Sequence, residues 1–293
     1  MASFLVRRVF VMFAVLVAAV LSMVTAGGPA MADEDSFDQP EGLAAACSTT
    51  STGGTTKVNY DGRYYLIRVP AGIPSSGAPL VVVVHGGYGT PEGVEGDSGW
   101  DALGDQNKAI VVYPRGSKSE GSGWGWNADA GSADITHITK VVANVRAKYC
   151  VDAKRIHLSG HSNGGQMASR VACTNAGLFA SGAVYAPAPP PVGCDPSRAL
   201  SWAVFASAGD TTVIEPVAYS TVTYWSWENR PCGNEQSDGG ANGIKDSKQW
   251  TCDAGTHVLW RVYNNGSHDW PTGARHTEVL NRMWKFLKDN PRP

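Results

Sequence analysis

Short apolar runs alternate with amphipathic stretches along most of the chain. Leu80 to Val84 is purely apolar and ends in His85-Gly86-Gly87, and Ala109 to Tyr113 is a second such run, ending in Pro114. Apolar runs of this length, without polar alternation, fit central parallel strands buried on both faces. Lys57 to Tyr60 and Arg63 to Val69, joined by Asp61-Gly62, predict a hairpin ahead of them. From Asp134 to Tyr149, the residues Ile135, Ile138, Val141, Val142 and Val145 return at three- and four-residue steps, which predicts an amphipathic helix. Ile156 to Ser159 supplies the next strand, Asn163 to Cys173 the next helix and Ala203 to Ala206 a later strand. His257 to Tyr263 reads as a further strand and His276 to Leu287 as a closing helix. Strands alternating with helices predict an α/β fold, a mostly parallel central sheet with helices on both faces. The glycine-rich loops Gly116 to Gly131 and Gly233 to Gly243 are long enough to expect work near a site.

The first 32 residues follow a different logic. Arg7 and Arg8 precede an apolar run from Val9 to Val24, and Ala30-Met31-Ala32 precedes Asp33-Glu34-Asp35. That order predicts a secretory signal peptide cleaved after Ala32. A membrane anchor is the rival, and the run falls short of the ~18 apolar residues that a span needs. Residues 33–54 are polar and small, which predicts a flexible lead-in, tethered through Cys47, to a catalytic domain over 55–293. Cleavage leaves 261 residues, enough for one α/β domain. The formal net charge of −2 becomes −4 without the two signal arginines, which argues against nucleic acid or an anionic membrane as partner. The mature protein is expected to be secreted, extracellular and monomeric.

Six cysteines, all beyond the signal, suit an oxidising compartment and three disulfides. Their spacing does not resemble a zinc site, and neither a metal nor a cofactor is called for. Counting alone leaves about fifteen pairings open. Pairing neighbours in sequence predicts Cys173 with Cys194 and Cys232 with Cys252, which leaves Cys47 with Cys150.

Chemistry enters at Gly160-His161-Ser162-Asn163-Gly164, which fits Gly-x-Ser-x-Gly between a predicted strand and a predicted helix. The glycines allow a bend sharp enough to lift Ser162 out at a helix N-terminus, where backbone N–H groups favour developing negative charge. The bland alternative is a tight strand-to-helix turn. A serine nucleophile needs a base and an orienting acid, here in the chain order Ser, Asp or Glu, His. His257 lies inside a strand and His276 opens a helix, whereas His268 sits in a loop directly after a strand, at the sheet edge where Ser162 emerges. Asp210 closes Phe205-Ala206-Ser207-Ala208-Gly209-Asp210 at the same edge. A turn residue is its bland alternative, and Asp195, Asp238, Asp246 and Asp253 are placed less well. The N–H of Asn163 is one expected oxyanion donor and that of Gly87 the other, with Tyr88 the alternative.

The arrangement resembles the secreted α/β-hydrolase esterases grouped with polyhydroxybutyrate depolymerases and feruloyl or acetylxylan esterases. The landmarks are Val84-His85-Gly86-Gly87, Tyr113-Pro114, Trp126-Asn127, Val151-Asp152, Arg155, Ser159 to Gly165, Gly209-Asp210 and Gly266-Ser267-His268-Asp269-Trp270-Pro271. The resemblance implies an α/β-hydrolase fold with nucleophile Ser162, acid Asp210 and base His268. The chain departs from the family at Ala206 to Gly209, where a His-Gly-containing turn is usual. Without a separate polymer-binding domain, adsorption to a polymer is expected to use the catalytic surface. A binding module on a hydrolase fold is the non-enzymatic alternative, and an amidase or peptidase the enzymatic one. Tyr88, Trp124, Trp126 and Trp270 are the candidate substrate-binding rings, expected to converge on one mouth, with Trp124 the most exposed. Flat apolar rings beside a serine nucleophile suit a polymeric ester such as polyhydroxyalkanoate, with feruloyl or acetyl esters of plant polysaccharide second.

Overall fold

A computed structural model describes residues 47–240 and 243–293. The chain runs β1 (Thr56–Tyr60), β2 (Arg63–Arg68), β3 (Ala78–Val84), α1 (Pro91–Ser98), α2 (Trp100–Asn107) and β4 (Ile110–Pro114). A small hairpin, β5 (Lys118–Glu120) with β6 (Gly123–Gly125), precedes α3 (Ala133–Lys148), β7 (Val151–His161) and α4 (Asn163–Thr174). Then come β8 (Ser181–Tyr185), β9 (Ser201–Ser207), α5 (Glu215–Glu228), β10 (Gln236–Ser237), β11 (Ile244–Thr251), β12 (His257–Tyr263) and α6 (Gly273–Asp289).

Ten strands form one sheet in the order β1-β2-β4-β3-β7-β8-β9-β12-β11-β10. The six from β4 to β12 are parallel, and antiparallel pairs flank them. Alternate residues of the central strands serve opposite faces. Leu80, Val82 and Val84 of β3 pack with Ile138, Val142 and Val145 of α3, Met167 and Val171 of α4, and Val222 of α5. Val81 and Val83 face the other way, toward Trp100 and Leu103 of α2 and Met283, Trp284 and Leu287 of α6. Each valine side chain removed from water in this way contributes roughly 1.5–3 kcal/mol, which is why these runs stay in the centre.

All three disulfides fall within the described residues. Cys47 joins Cys150 across 103 residues, Cys173 joins Cys194, and Cys232 joins Cys252. The expected signal peptide, residues 1–32, lies outside the described residues, as do residues 33–46 of the lead-in. Residues 47–54 lie along the domain: the Ser48 N–H donates to Lys148 O at 2.8 Å, and the Ser51 hydroxyl to Val69 O at 2.8 Å.

Several elements differ from the sequence expectation. The polar stretch that holds Asp238, Asp246 and Asp253 contains β11, an antiparallel strand between β12 and the short edge strand β10, and its half-exposed residues explain its polar composition. Helices α1, α2 and α5 were not foreseen. In α1, Thr90 caps the Gly93 N–H at 2.9 Å and Pro91 takes the first turn, so the helix starts well in spite of two internal glycines. The closing helix begins at Gly273 and not at His276.

Candidate active site

Ser162 sits where β7 turns into α4, with φ +55°, a left-handed value that is strained for any residue but glycine. The turn is possible because of its neighbours. A methyl on Gly160 would lie 2.6 Å from Gly164 O, and one on Gly164 would strike the carbonyl oxygens of Val84 and His85. Ser162 N–H donates to Tyr185 O at 3.2 Å, and Ala188 N–H donates to Ser162 O at 2.9 Å, so the backbone is held from the β8 side.

Two loops at the same end of the sheet bring up the partners. The Oγ of Ser162 lies 2.8 Å from Nε2 of His268, whose Nδ1 lies 2.8 Å from Oδ2 of Asp210. Asp210 follows β9 and is buried, and its Oδ1 accepts the N–H groups of Thr212 and Val213, both at 2.8 Å. With that carboxylate fixed, His268 donates from Nδ1, which leaves Nε2 free to accept the serine proton. The rival histidines lie elsewhere: Nδ1 of His257 pairs with Asn290 Oδ1 at 2.8 Å, at the opposite end of β12, and His276 packs on Gly99. A cavity of about 250 Å³ lined by residues including Asp238, His257, Arg282 and Asn290 shares that opposite end and is separate from this site.

The loop after β3 approaches the serine from the other side. A methyl on Gly86 would lie 3.5 Å from Ser162 Cβ, and one on Gly87 3.8 Å from Asn163 Cβ, so this loop passes in van der Waals contact with the elbow. The Tyr88 N–H is committed to Glu120 Oε2 at 2.9 Å, which favours Gly87 over Tyr88 as the second donor beside Asn163. His85 braces the loop. Its Nε2 accepts the Gly116 N–H at 3.1 Å, so Nδ1 carries the proton and donates to Gly86 O at 2.7 Å. Burial, partly offset by that bond, pushes the His85 pKa down to about 4 and keeps the ring neutral.

The four candidate rings differ in exposure. Trp126 is buried, donates from its indole to His85 O at 2.8 Å and packs on the His85 ring, so it supports the loop after β3. Its N–H donates to the Asn163 side chain at 2.7 Å. Trp124 is half-buried beneath the Arg115 guanidinium, 4.0 Å from the ring centre, so one face is covered. Trp270 stands edge-on to Tyr185 with centroids 5.5 Å apart, on the His268 side. Tyr88, 75% exposed, is the open ring of the four.

One residue with a clear place here was missed as a functional group. His161 donates from Nε2 to the carbonyl oxygen of His268 at 2.7 Å and lies tilted against that ring, centroids 4.7 Å apart. The only signal in the sequence was its position beside Ser162.

An open parallel sheet with a strained serine at the strand-to-helix elbow, backed by a histidine and a buried aspartate, defines an α/β-hydrolase fold carrying a Ser-His-Asp arrangement. Residues 63–189 match the family described as Esterase PHB depolymerase. Over that stretch the chain is similar to esterases of that group. It is 35% identical over 127 residues to a poly(3-hydroxyalkanoate) depolymerase C of Paucimonas lemoignei, across 41% of this chain and 30% of that protein. It is 33% identical over 127 residues to an acetylxylan esterase A of Aspergillus awamori, across 41% of this chain and 40% of that protein. The chain therefore spans less than half the length of these two relatives. A solved acetyl xylan esterase from Aspergillus awamori has the same fold, with a TM-score of 0.62 at 20% identity over 78% of this chain and 99% of the other.

Proposed function

We propose that the protein is a secreted serine carboxylic-ester hydrolase acting on polymeric esters, most closely of the polyhydroxyalkanoate depolymerase type. The observation that carries this is the unbroken relay from Ser162 through His268 to Asp210, each link 2.8 Å. His268 takes the serine proton as Oγ attacks the ester carbonyl, and the N–H groups of Asn163 and Gly87 receive the oxyanion. Collapse of the tetrahedral intermediate expels the alcohol, protonated by His268, and leaves an acyl-serine. Water, deprotonated by His268, then releases the acid and restores Ser162. Asp210 holds the ring orientation and stabilises the imidazolium. The exposed Tyr88 and the half-buried Trp124, on neighbouring loops, offer flat apolar area, which suits a polyester chain. A feruloyl or acetyl ester of xylan is the second reading, favoured by the likeness to acetylxylan esterases in sequence and fold. Export follows from the proposed signal, and N-terminal sequencing of the secreted protein should begin at Asp33.

Ser162→Ala should reduce turnover on the order of a million-fold, His268→Ala comparably and Asp210→Asn somewhat less. Full ester hydrolysis by purified Ser162→Ala would sink the mechanism. For the substrate, release of soluble acids is followed from a polyhydroxyalkanoate suspension and from feruloylated or acetylated xylan. Polyester clearing is expected; release from xylan alone would reverse the order.

A further inference from the structure

The loop that brings Gly87 to the serine is held in a strained form, and one carboxylate accounts for it. Gly89 N–H donates to Gly86 O at 3.1 Å, closing a turn with Gly87 and Tyr88 at its corners. Tyr88 has φ +59° while Gly87 is not among the residues of positive φ, and this combination is a type II turn. That corner normally takes glycine, and a tyrosine there costs about 1–2 kcal/mol. Flipping the peptide between Gly87 and Tyr88 would give the commoner type I turn and relieve the strain, and it would exchange the directions of the Gly87 carbonyl and the Tyr88 N–H.

Glu120 blocks that flip. Its Oε2 accepts the Tyr88 N–H at 2.9 Å and lies 3.2 Å from where a Gly87 methyl would stand, a point only 3.8 Å from Asn163 Cβ. The carboxylate is therefore on the side of the turn that faces the elbow. A flipped peptide would bring the Gly87 carbonyl oxygen to that side, against the carboxylate and beside Asn163. The hairpin of β5 and β6 is built to admit this contact. Trp124 N–H donates to Gly89 O at 2.8 Å, a methyl on Gly123 would strike the Tyr88 carbonyl, and a methyl on Gly125 would strike the Glu120 carboxylate. Tight backbone at two glycines thus serves one acceptor aimed at one N–H.

Resting on the esterase reading above, we propose that Glu120 is a positioning residue for the oxyanion site: it fixes the Gly87–Tyr88 peptide so that the Gly87 carbonyl oxygen points away from the elbow and the Gly87 N–H alone faces the developing negative charge. Without it the loop samples the relaxed turn, whose carbonyl opposes the oxyanion. Substrate in its ground state carries no such charge, so the effect falls on kcat and not on KM.

The test uses purified full-length variants with p-nitrophenyl acetate and a trifluoromethyl ketone, which forms an oxyanionic adduct with the serine. Glu120→Ala should lower kcat by roughly ten- to a hundredfold, below the 10²–10³ of losing a donor outright. KM should stay within about twofold, and the inhibition constant should rise by the same factor as kcat/KM falls. Glu120→Gln, whose amide oxygen can accept the same N–H, should recover most of kcat. Tyr88→Gly placed in the Glu120→Ala background should also restore it, because glycine favours the type II corner unaided. If Glu120→Ala does not fold, Glu120→Lys, which offers only donors, carries the same expectation. A kcat within twofold of wild type in the folded variant, or no rescue by Tyr88→Gly, overturns the proposal while Ser162→Ala remains inert. Activity in Ser162→Ala would instead overturn the reading beneath it.

Discussion

At the scale of single residues, the histidine next to the nucleophile shows how a side chain can serve the site without touching substrate. The His161 ring is half-buried against Tyr185 and His268, and its donated bond holds the backbone of His268 at the point where the loop must deliver the base. Burial, and then the neighbouring His268, pushes the His161 pKa down to about 4, so the ring stays neutral. His161→Phe keeps the ring packing and removes the bond. A lost hydrogen bond of about 0.5–1.5 kcal/mol predicts roughly a two- to tenfold fall in kcat with little change in KM. His161→Asn, which can still donate, should lie between. Steady-state kinetics with p-nitrophenyl acetate decides the matter, and a His161→Phe enzyme with wild-type kcat would refute the role. Ser162, Asp210 and His268 could be named from sequence because each follows a strand, and strand ends meet at one edge of a parallel sheet. Exposure of a ring is a tertiary property, so the sequence could not tell that Arg115 covers Trp124 or that Trp126 lies beneath His85.

Among the elements, those with strong periodicity were legible and those shaped by context were not. β3 and β4 carry unmixed apolar runs and α3 a clean helical stripe, because both faces or one whole face meet the core. Helix α5 hides its nature: its buried face mixes Ala218, Thr221, Val222 and Trp225, and its sequence is rich in β-branched and aromatic residues of low helix propensity. β11 is polar because it borders the edge of the sheet. The elbow is the strictest element. Gly164 faces the carbonyl oxygens of Val84 and His85, which belong to backbone and cannot swing aside. Gly164→Ala should therefore lower unfolding stability by about 3 kcal/mol or more and remove activity. Gly177→Ala, at a glycine with open space around its Cα, is the matched control and should be close to neutral. Urea unfolding of the two variants checks this, and equal midpoints would show that the elbow can relax.

For the whole molecule, the buried histidines set how the fold responds to acid. His85, His137 and His161 are held down to about 4 and His157 to about 3, burial being the first cause in each. An unfolded chain would protonate these rings near 6.5. Because the folded values lie below the unfolded one, the stability the four rings carry is complete above pH 6.5. It is lost as the pH falls through 6.5 toward 4, where the unfolded state binds protons that the folded state refuses. Each neutral ring adds up to about 1.4 kcal/mol per pH unit to the slope within that window. His137 is the ring to remove, since neither of its nitrogens has a hydrogen-bond partner among the described residues and it is buried at the sheet-facing side of α3. His137→Leu should raise stability at pH 7.5, because an unsatisfied buried polar ring gives way to an apolar side chain of similar size. It should also reduce the fall between pH 6.5 and 5 by about one histidine's share. Urea melts at pH 7.5, 6.5 and 5 for both proteins test the two effects together: parallel acid losses in wild type and variant would mean that His137 titrates in the folded protein as it does in the unfolded chain.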